Sequence, residues 1–293
     1  MKYGFICNND KRFAISLMCE CLEVSRSGYY DWLGRPPSKR EQKNKLLDAK
    51  IVNVYEDHKG RYGSPRITKE LLADNVSCSE NHVSKRMSAM GLKAKGKRKF
   101  KATTDSKHNL PVFDNVLNRD FYASVPNQKW VSDITYVRTE GGWLYLCVYV
   151  DLYSRAVIGW SMGKRINKQL VCDALMMALW RRGFPKNVIV HTDRGSQYAS
   201  KKYRTLLNDY ILIGSMSRKG DCWDNSVAES FFRTIKCEHI YDFIYKTRAQ
   251  AKQSIFEYIE VYYNKKRRHS YLGYVTPEEF ENMGYNLIRN GVR

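Results

Sequence analysis

The apolar residues of this chain change their spacing near residue 126. Before that point they recur at helical intervals, and the pattern predicts a helix over 13–22 and another starting near Arg26, with Ser25 placed to cap it. Pro36 and Pro37 close this small unit, because a proline ring clashes with the preceding helical turn. A longer helix follows over 39–58. Two more, over 68–74 and 79–90, flank a tight turn in the manner of a helix-turn-helix, with Ser79 as cap and Lys85 and Arg86 on the second helix.

After residue 126 the texture is different. WVSDITYV, WLYLCVYVDLY and AVIGWSM read as three strands with short connections, which predicts an antiparallel meander. Next come a helix over 168–182, a buried strand VIVHTD, a helix over 201–209, a strand ILIGSMS and a helix over 225–239. The order β-β-β-α-β-α-β-α places the chain in the α/β class, with a mixed sheet flanked by helices (α+β in its connectivity) and an all-α region before it. One more helix over 247–263 precedes the basic loop KKRRHSYLG. The predicted division is a small helical unit over 1–37, a helix-turn-helix-like DNA-binding region over 38–95, a basic linker over 96–125, a core over 126–285 and a tail over 286–293.

Charge narrows the partner. The chain carries 50 Lys+Arg against 30 Asp+Glu, a net +20. The excess is spread along it, with 24 basic against 14 acidic residues up to Val125 and 26 against 16 beyond. Solubility alone seldom needs so much charge of one sign, and a polyanion such as DNA is the expected partner. The segment KAKGKRKFK, which includes Lys97, Arg98 and Lys99, has no acid and no periodicity. It is a solvated linker suited to lie along a phosphate backbone. The eight cysteines form no CxxC pair and read as reduced, mostly buried thiols of an intracellular protein. No apolar run is long enough for a membrane span, and the first residues lack the apolar core of a signal peptide.

Three acids stand where a charge is costly or exposed for use. Asp133 lies mid-strand in WVSDITYV, Asp193 closes VIVHTD, and Glu229 sits near the start of a helix in DNSVAESFFRTIK. Each alone reads more readily as an ordinary hydrogen-bonded acid or an edge gatekeeper than as a catalytic one. Converging at one sheet edge, the three would repel one another and call for a divalent cation, Mg²⁺ or Mn²⁺ given hard oxygen donors. Arg233 and Lys236 follow Glu229 by four and seven residues, nearly one face of a helix, and read as a stripe able to hold a DNA backbone. His191 either contacts a scissile phosphate or orients the strand end that carries Asp193. Gln197 and Tyr198 are weaker candidates for DNA contact. Arg267, Arg268 and His269 read either as an accessory phosphate contact or as a packing motif.

Asp193 and Glu229 are separated by 35 residues, and with Asp133 on the first core strand this resembles the DDE signature of retroviral integrases and related transposases. The surrounding segments PNQKWVSDITYV, VIVHTDRGSQY, GSMSRKGDCWDNSVAESFFRTIKCE and YNKKRRHSYLG, with SRSGYYDW and RYGSPRIT upstream, resemble the second-frame (OrfB) product of the IS-three family of bacterial insertion sequences over nearly the whole chain. The resemblance implies a ribonuclease H-like core, with Asp133, Asp193 and Glu229 as metal ligands and Lys236 at a basic position common to the group. It implies a transposase that uses two Mg²⁺ or Mn²⁺ ions to cleave at element ends and to join the freed 3′-OH to new DNA. Expected partners are double-stranded element ends and target, further copies of the chain, and an upstream-frame (OrfA-type) partner or fusion. The expected setting is the cytoplasm, at the nucleoid. The rival readings are a non-catalytic DNA-binding regulator and a nuclease that hydrolyses without joining.

Overall fold

The computed structural model describes residues 2–96, 110–219 and 221–289. Three short helices, α1 (Lys2–Asn9), α2 (Ile15–Cys21) and α3 (Arg26–Leu33), close around a small core of Ile6, Met18, Cys19 and Tyr29. Ser25 caps α3 as expected, accepting from the Gly28 amide. The helix α1 was not legible, because its apolar residues form no continuous stripe.

Helices α4 (Lys39–Asp57), α5 (Ser64–Ala73) and α6 (Glu80–Ala89) form the helix-turn-helix-like unit. Ser79 caps α6 through the His82 amide. Helix α5 starts four residues earlier than its spacing implied, because Pro65 sits in its first turn, where a missing N–H costs nothing. This unit does not stand apart from the core. Leu47, Ile51, Ile67 and Leu71 belong to the same apolar cluster as the core strands and the helices on one face of the sheet.

The sheet has the order β3-β2-β1-β4-β5, built from β1 (Lys129–Thr139), β2 (Gly142–Asp151), β3 (Val157–Gly163), β4 (Ile189–Thr192) and β5 (Ile213–Met216). The first three strands are the antiparallel meander, and β4 and β5 run parallel to β1 and to each other. This is the expected ribonuclease H-like arrangement. One face is covered by α7 (Lys168–Arg182) and α8 (Lys201–Asp209), over Trp130, Cys147, Tyr149 and Val190. At Gly159 the α7 backbone comes so close that an added Cβ would lie 2.3 Å from the Ala174 carbonyl oxygen. The other face carries α9 (Ser226–Glu238) and α10 (Arg248–Glu257), packed over Val131, Val137, Leu146 and Val148.

The helix expected over 247–263 turns to π geometry at Tyr258–Tyr263, and a final helix α11 (Pro277–Arg289) was not anticipated. Residues 110–125, expected as linker, are seated on the core. Leu117 and Ala123 are buried in it, the Leu117 amide donates to Ser215 Oγ, and the Phe113 ring lies against Gly214. Among the described cysteines none is disulfide-bonded; Cys19, Cys147 and Cys172 are buried and Cys21 is exposed. No described helix is long and apolar enough to cross a membrane.

Candidate active site

The register of two parallel strands sets the first pair of acids. Val131 on β1 stands beside His191 on β4, the last pairing between them. Two residues further on come Asp133, on the same face of β1 as Val131, and Asp193, one residue past the end of β4. Neighbouring strands lie about 4.8 Å apart, close enough for the two carboxylates to repel strongly. Asp133 accepts a hydrogen bond from the Ile134 amide (2.7 Å) and Asp193 from the Gly195 amide (3.0 Å). Loss of water pushes the Asp133 carboxyl well above the usual carboxylate range, and Asp193 and then Glu229 push it further.

Glu229 enters from the first turn of α9, on the same face of the sheet. Partial burial raises its carboxyl, the Arg233 guanidinium opposes this, and Asp193 adds to it. The three acids therefore share one electrostatic field although they come from two strands and a helix. Among the described residues, no three His, Cys, Asp or Glu side chains are gathered tightly enough to grip one ion. The donor set is carboxylate oxygen throughout, which suits Mg²⁺ or Mn²⁺ rather than zinc.

Lys236 departs from the expected stripe. Glu229 and Arg233 are exposed, but Lys236 is 3% exposed, with Nζ 4.7 Å from the centre of the Tyr136 ring on β1. The same azimuth of α9 faces solvent at its start and the sheet two turns later. Burial pushes the Lys236 ammonium down to about 8, and the Asp133 charge pulls the other way. A buried cation thus sits in the field of the acids, rather than out along a DNA track.

His191 is fully buried, with Nδ1 2.8 Å from Ser215 Oγ and Nε2 3.2 Å from Ser217 Oγ. Burial holds it neutral, at about 4, and both ring nitrogens are engaged in joining β4 to β5. Of its two readings, orienting the strand end is the one the geometry carries. Tyr198 is not available to DNA: it is fully buried, its hydroxyl 2.8 Å from Ser132 Oγ. Gln197 stays half-exposed in the loop after Asp193.

The KKRRHSYLG loop resolves as packing. Arg267 is 4% exposed and donates two hydrogen bonds to the Glu238 carboxylate, 2.7 and 2.8 Å. Arg268 donates to Glu70 on α5 (2.8 Å). In the helix-turn-helix-like unit Lys85 is exposed, whereas Arg86 is drawn back to Asp48 on α4 by a hydrogen bond of 2.7 Å. Lys97, Arg98 and Lys99 lie outside the described residues. Sequence reasoning passed over Arg119, Asp224 and Asn225, which tie down the start of α9; the only signal was the polar run DNS just before that helix.

The chain matches known families along most of its length. Models described as integrase core domains match residues 123–222 and 229–285, and an HTH-like domain model matches 41–100. Among solved structures, the HTLV-2 integrase catalytic core domain in complex with magnesium (trimeric form) aligns with TM-score 0.42 at 18% identity, over 55% of this chain and 99% of that one. The Insertion element IS600 uncharacterized 31 kDa protein of Shigella sonnei is 42% identical over 263 residues, 90% of this chain and 97% of that protein. Transposase InsF for insertion sequence IS3A of Escherichia coli (strain K12) is 49% identical over 284 residues, 96% of this chain and 99% of that protein. With that identity sustained across both the helical region and the core, this chain belongs to the IS3 family of insertion-sequence transposases.

Proposed function

We propose that Asp133, Asp193 and Glu229 are the catalytic, metal-holding carboxylates of this transposase. The observation that carries the reading is convergence: Asp133 on β1, Asp193 just past β4 and Glu229 in the first turn of α9 meet in one field, where Asp193 raises the carboxyls of Asp133 and Glu229, and Glu229 adds to that of Asp133. Such an arrangement is costly to the fold and gains its use when a cation is held there. Divalent ions, two on this reading, would supply Lewis acidity at the attacking and leaving oxygens of an in-line displacement at phosphorus. Asp133, Asp193 and Glu229 are the groups that would hold them.

The remaining residues serve position and charge. Lys236 tempers the negative field around Asp133 from inside the fold. His191, held by Ser215 and Ser217, fixes the end of β4 from which Asp193 projects. Water is the first nucleophile and frees a 3′-OH at the element end; that hydroxyl then attacks a second phosphodiester. No protein nucleophile is needed, because water and then the 3′-OH attack phosphorus directly. Arg233 and Lys85 contact the DNA backbone, joined by Arg86 when it releases Asp48, and by Lys97, Arg98 and Lys99 in the basic segment. The chain works on double-stranded DNA as a homo-oligomer, with an upstream-frame product as partner or fusion.

The test is incubation of the full chain with labelled element ends and Mg²⁺. Nicking and strand-transfer products that vanish in Asp193→Asn support the reading. DNA retardation without cleavage under Mg²⁺ or Mn²⁺ would make the chain a regulator instead, and nicking without joined products a nuclease.

A further inference from the structure

The loop that leads into α9 is pinned at one point. Asp224 is fully buried, and its two carboxylate oxygens take five hydrogen bonds. Arg218 gives three, from its amide (2.8 Å), Nε (3.1 Å) and Nη2 (2.9 Å). Arg119 Nε gives one at 2.7 Å and Asn115 Nδ2 another at 2.9 Å. Arg119 also reaches Asp221 through Nη2. The Arg218 contacts hold the Asp224 carboxyl far below the usual carboxylate range. The adjacent Asn225 donates Nδ2 to the Ser132 carbonyl (3.1 Å), one residue before Asp133.

A buried carboxylate with this many donors is more than a helix start requires. The cap position of α9 is Asn225, whose side chain makes no capping bond, so Asp224 does not serve as the cap. With its oxygens saturated by two guanidiniums, the Arg218 amide and the Asn115 side-chain amide, it is no ligand either. What the contacts do is fix where α9 begins, relative to β1 on one side and to residues 115–119 on the other. Glu229 is the fourth residue of that helix, five after Asp224. Residues 115–119 belong to the stretch that joins the helix-turn-helix-like unit to the core.

We propose that Asp224, gripped by Arg119, is a positioning residue for Glu229, so that the triad is complete only while residues 115–119 are seated on the core. The proposal rests on the reading of Glu229 as a catalytic carboxylate. Misplacing a reacting group by about 1 Å costs on the order of 10²-fold in rate, which sets the effect to expect.

The experiment uses the full chain with Asp224→Asn, Arg119→Ala, Arg119→Lys and Glu229→Gln. Arg119 is 44% exposed at its side chain, so its replacement leaves the fold standing even if Asp224→Asn does not fold. Nicking of labelled ends, half-saturation by Mn²⁺, thermal midpoint and metal-free hydrogen exchange are measured together. Expected are a fall of about 10²-fold in kcat for Arg119→Ala, an unchanged KM for DNA, a raised Mn²⁺ requirement, and faster exchange confined to 218–230. Arg119→Lys recovers part of the rate. The proposal is overturned if Glu229→Gln is inactive while Arg119→Ala keeps wild-type kcat and Mn²⁺ requirement. It is equally overturned if exchange rises throughout the sheet and the lysine variant recovers nothing. An active Glu229→Gln would instead sink the triad itself, whatever the clamp variants do.

Discussion

Glu238, the last residue of α9, joins the core to the helix-turn-helix-like unit, and its removal has a calculable consequence. Its carboxylate takes two hydrogen bonds from Arg267 and one from the Tyr258 hydroxyl (2.8 Å), and Arg66 of α5 stands 3.4 Å away. Its backbone carbonyl accepts from Arg61 Nε (2.9 Å). Glu238 is 7% and Arg267 4% exposed, so Glu238→Ala strands a guanidinium in the interior. Breaking a buried pair from one side costs about 3–5 kcal/mol, which at roughly 2–4 °C per kcal/mol lowers the unfolding midpoint by about 6–20 °C. Burial alone would raise the Glu238 carboxyl, but Arg267 holds it below the ordinary value. An acid depressed in the folded state contributes stability above its unfolded pKa, about 4.3, and loses that contribution as pH falls through the folded value. The gap between wild type and Glu238→Ala in urea unfolding is therefore full at pH 7 and closes below about pH 4. Replacing both partners (Glu238→Leu with Arg267→Met) recovers most of the loss, since no charge is left to desolvate. A cost under about 1 kcal/mol at pH 7, the range of an exposed pair, or a cost that does not shrink in acid, would refute the reasoning.

Three further outcomes follow from particular contacts. Gly159→Ala pushes a methyl into the α7 backbone and destabilises by about 1–3 kcal/mol, read by denaturant midpoint, with the residual folded protein still nicking DNA. Lys236→Met abolishes nicking but raises the unfolding midpoint at pH 7. Because burial holds Lys236 near 8 against about 10.4 when unfolded, wild type gains stability as pH climbs through that window, and the difference narrows there. Lys85→Ala weakens DNA binding evenly across sequences and makes the slope of log affinity against log salt shallower by about 1, measured by retardation at several salt concentrations.

The periods of two and 3.6 along the chain, its caps and its turns were enough for the order of the five strands and the helices between them, because these rest on contacts within a few residues. Ser25 and Ser79 cap the helices they precede, and α7 and α8 run as their spacing implied. Helix α11 and the π turn at Tyr258–Tyr263 were not legible. The π turn lies where Tyr258 meets Glu238 and Tyr262 meets His58, partners far away in the chain. The site divides in the same way. Asp133, Asp193 and Glu229 could be put forward as candidates by residue type, local context and spacing, and the family resemblance needed no coordinates.

Tertiary structure alone decided which charges face one another. The parallel register of β1 and β4 ends at Val131 and His191, and just beyond it the Asp193 charge bears on the Asp133 carboxyl. The lie of α9 on the sheet turns Lys236 inward to Tyr136, away from the solvent that Glu229 and Arg233 meet. Arg267, as basic on paper as any DNA contact, is spent on Glu238, and Arg119 reaches across the fold to Asp224. Residue type states that a side chain is charged; whether that charge is free to meet DNA depends on what the fold has already packed against it.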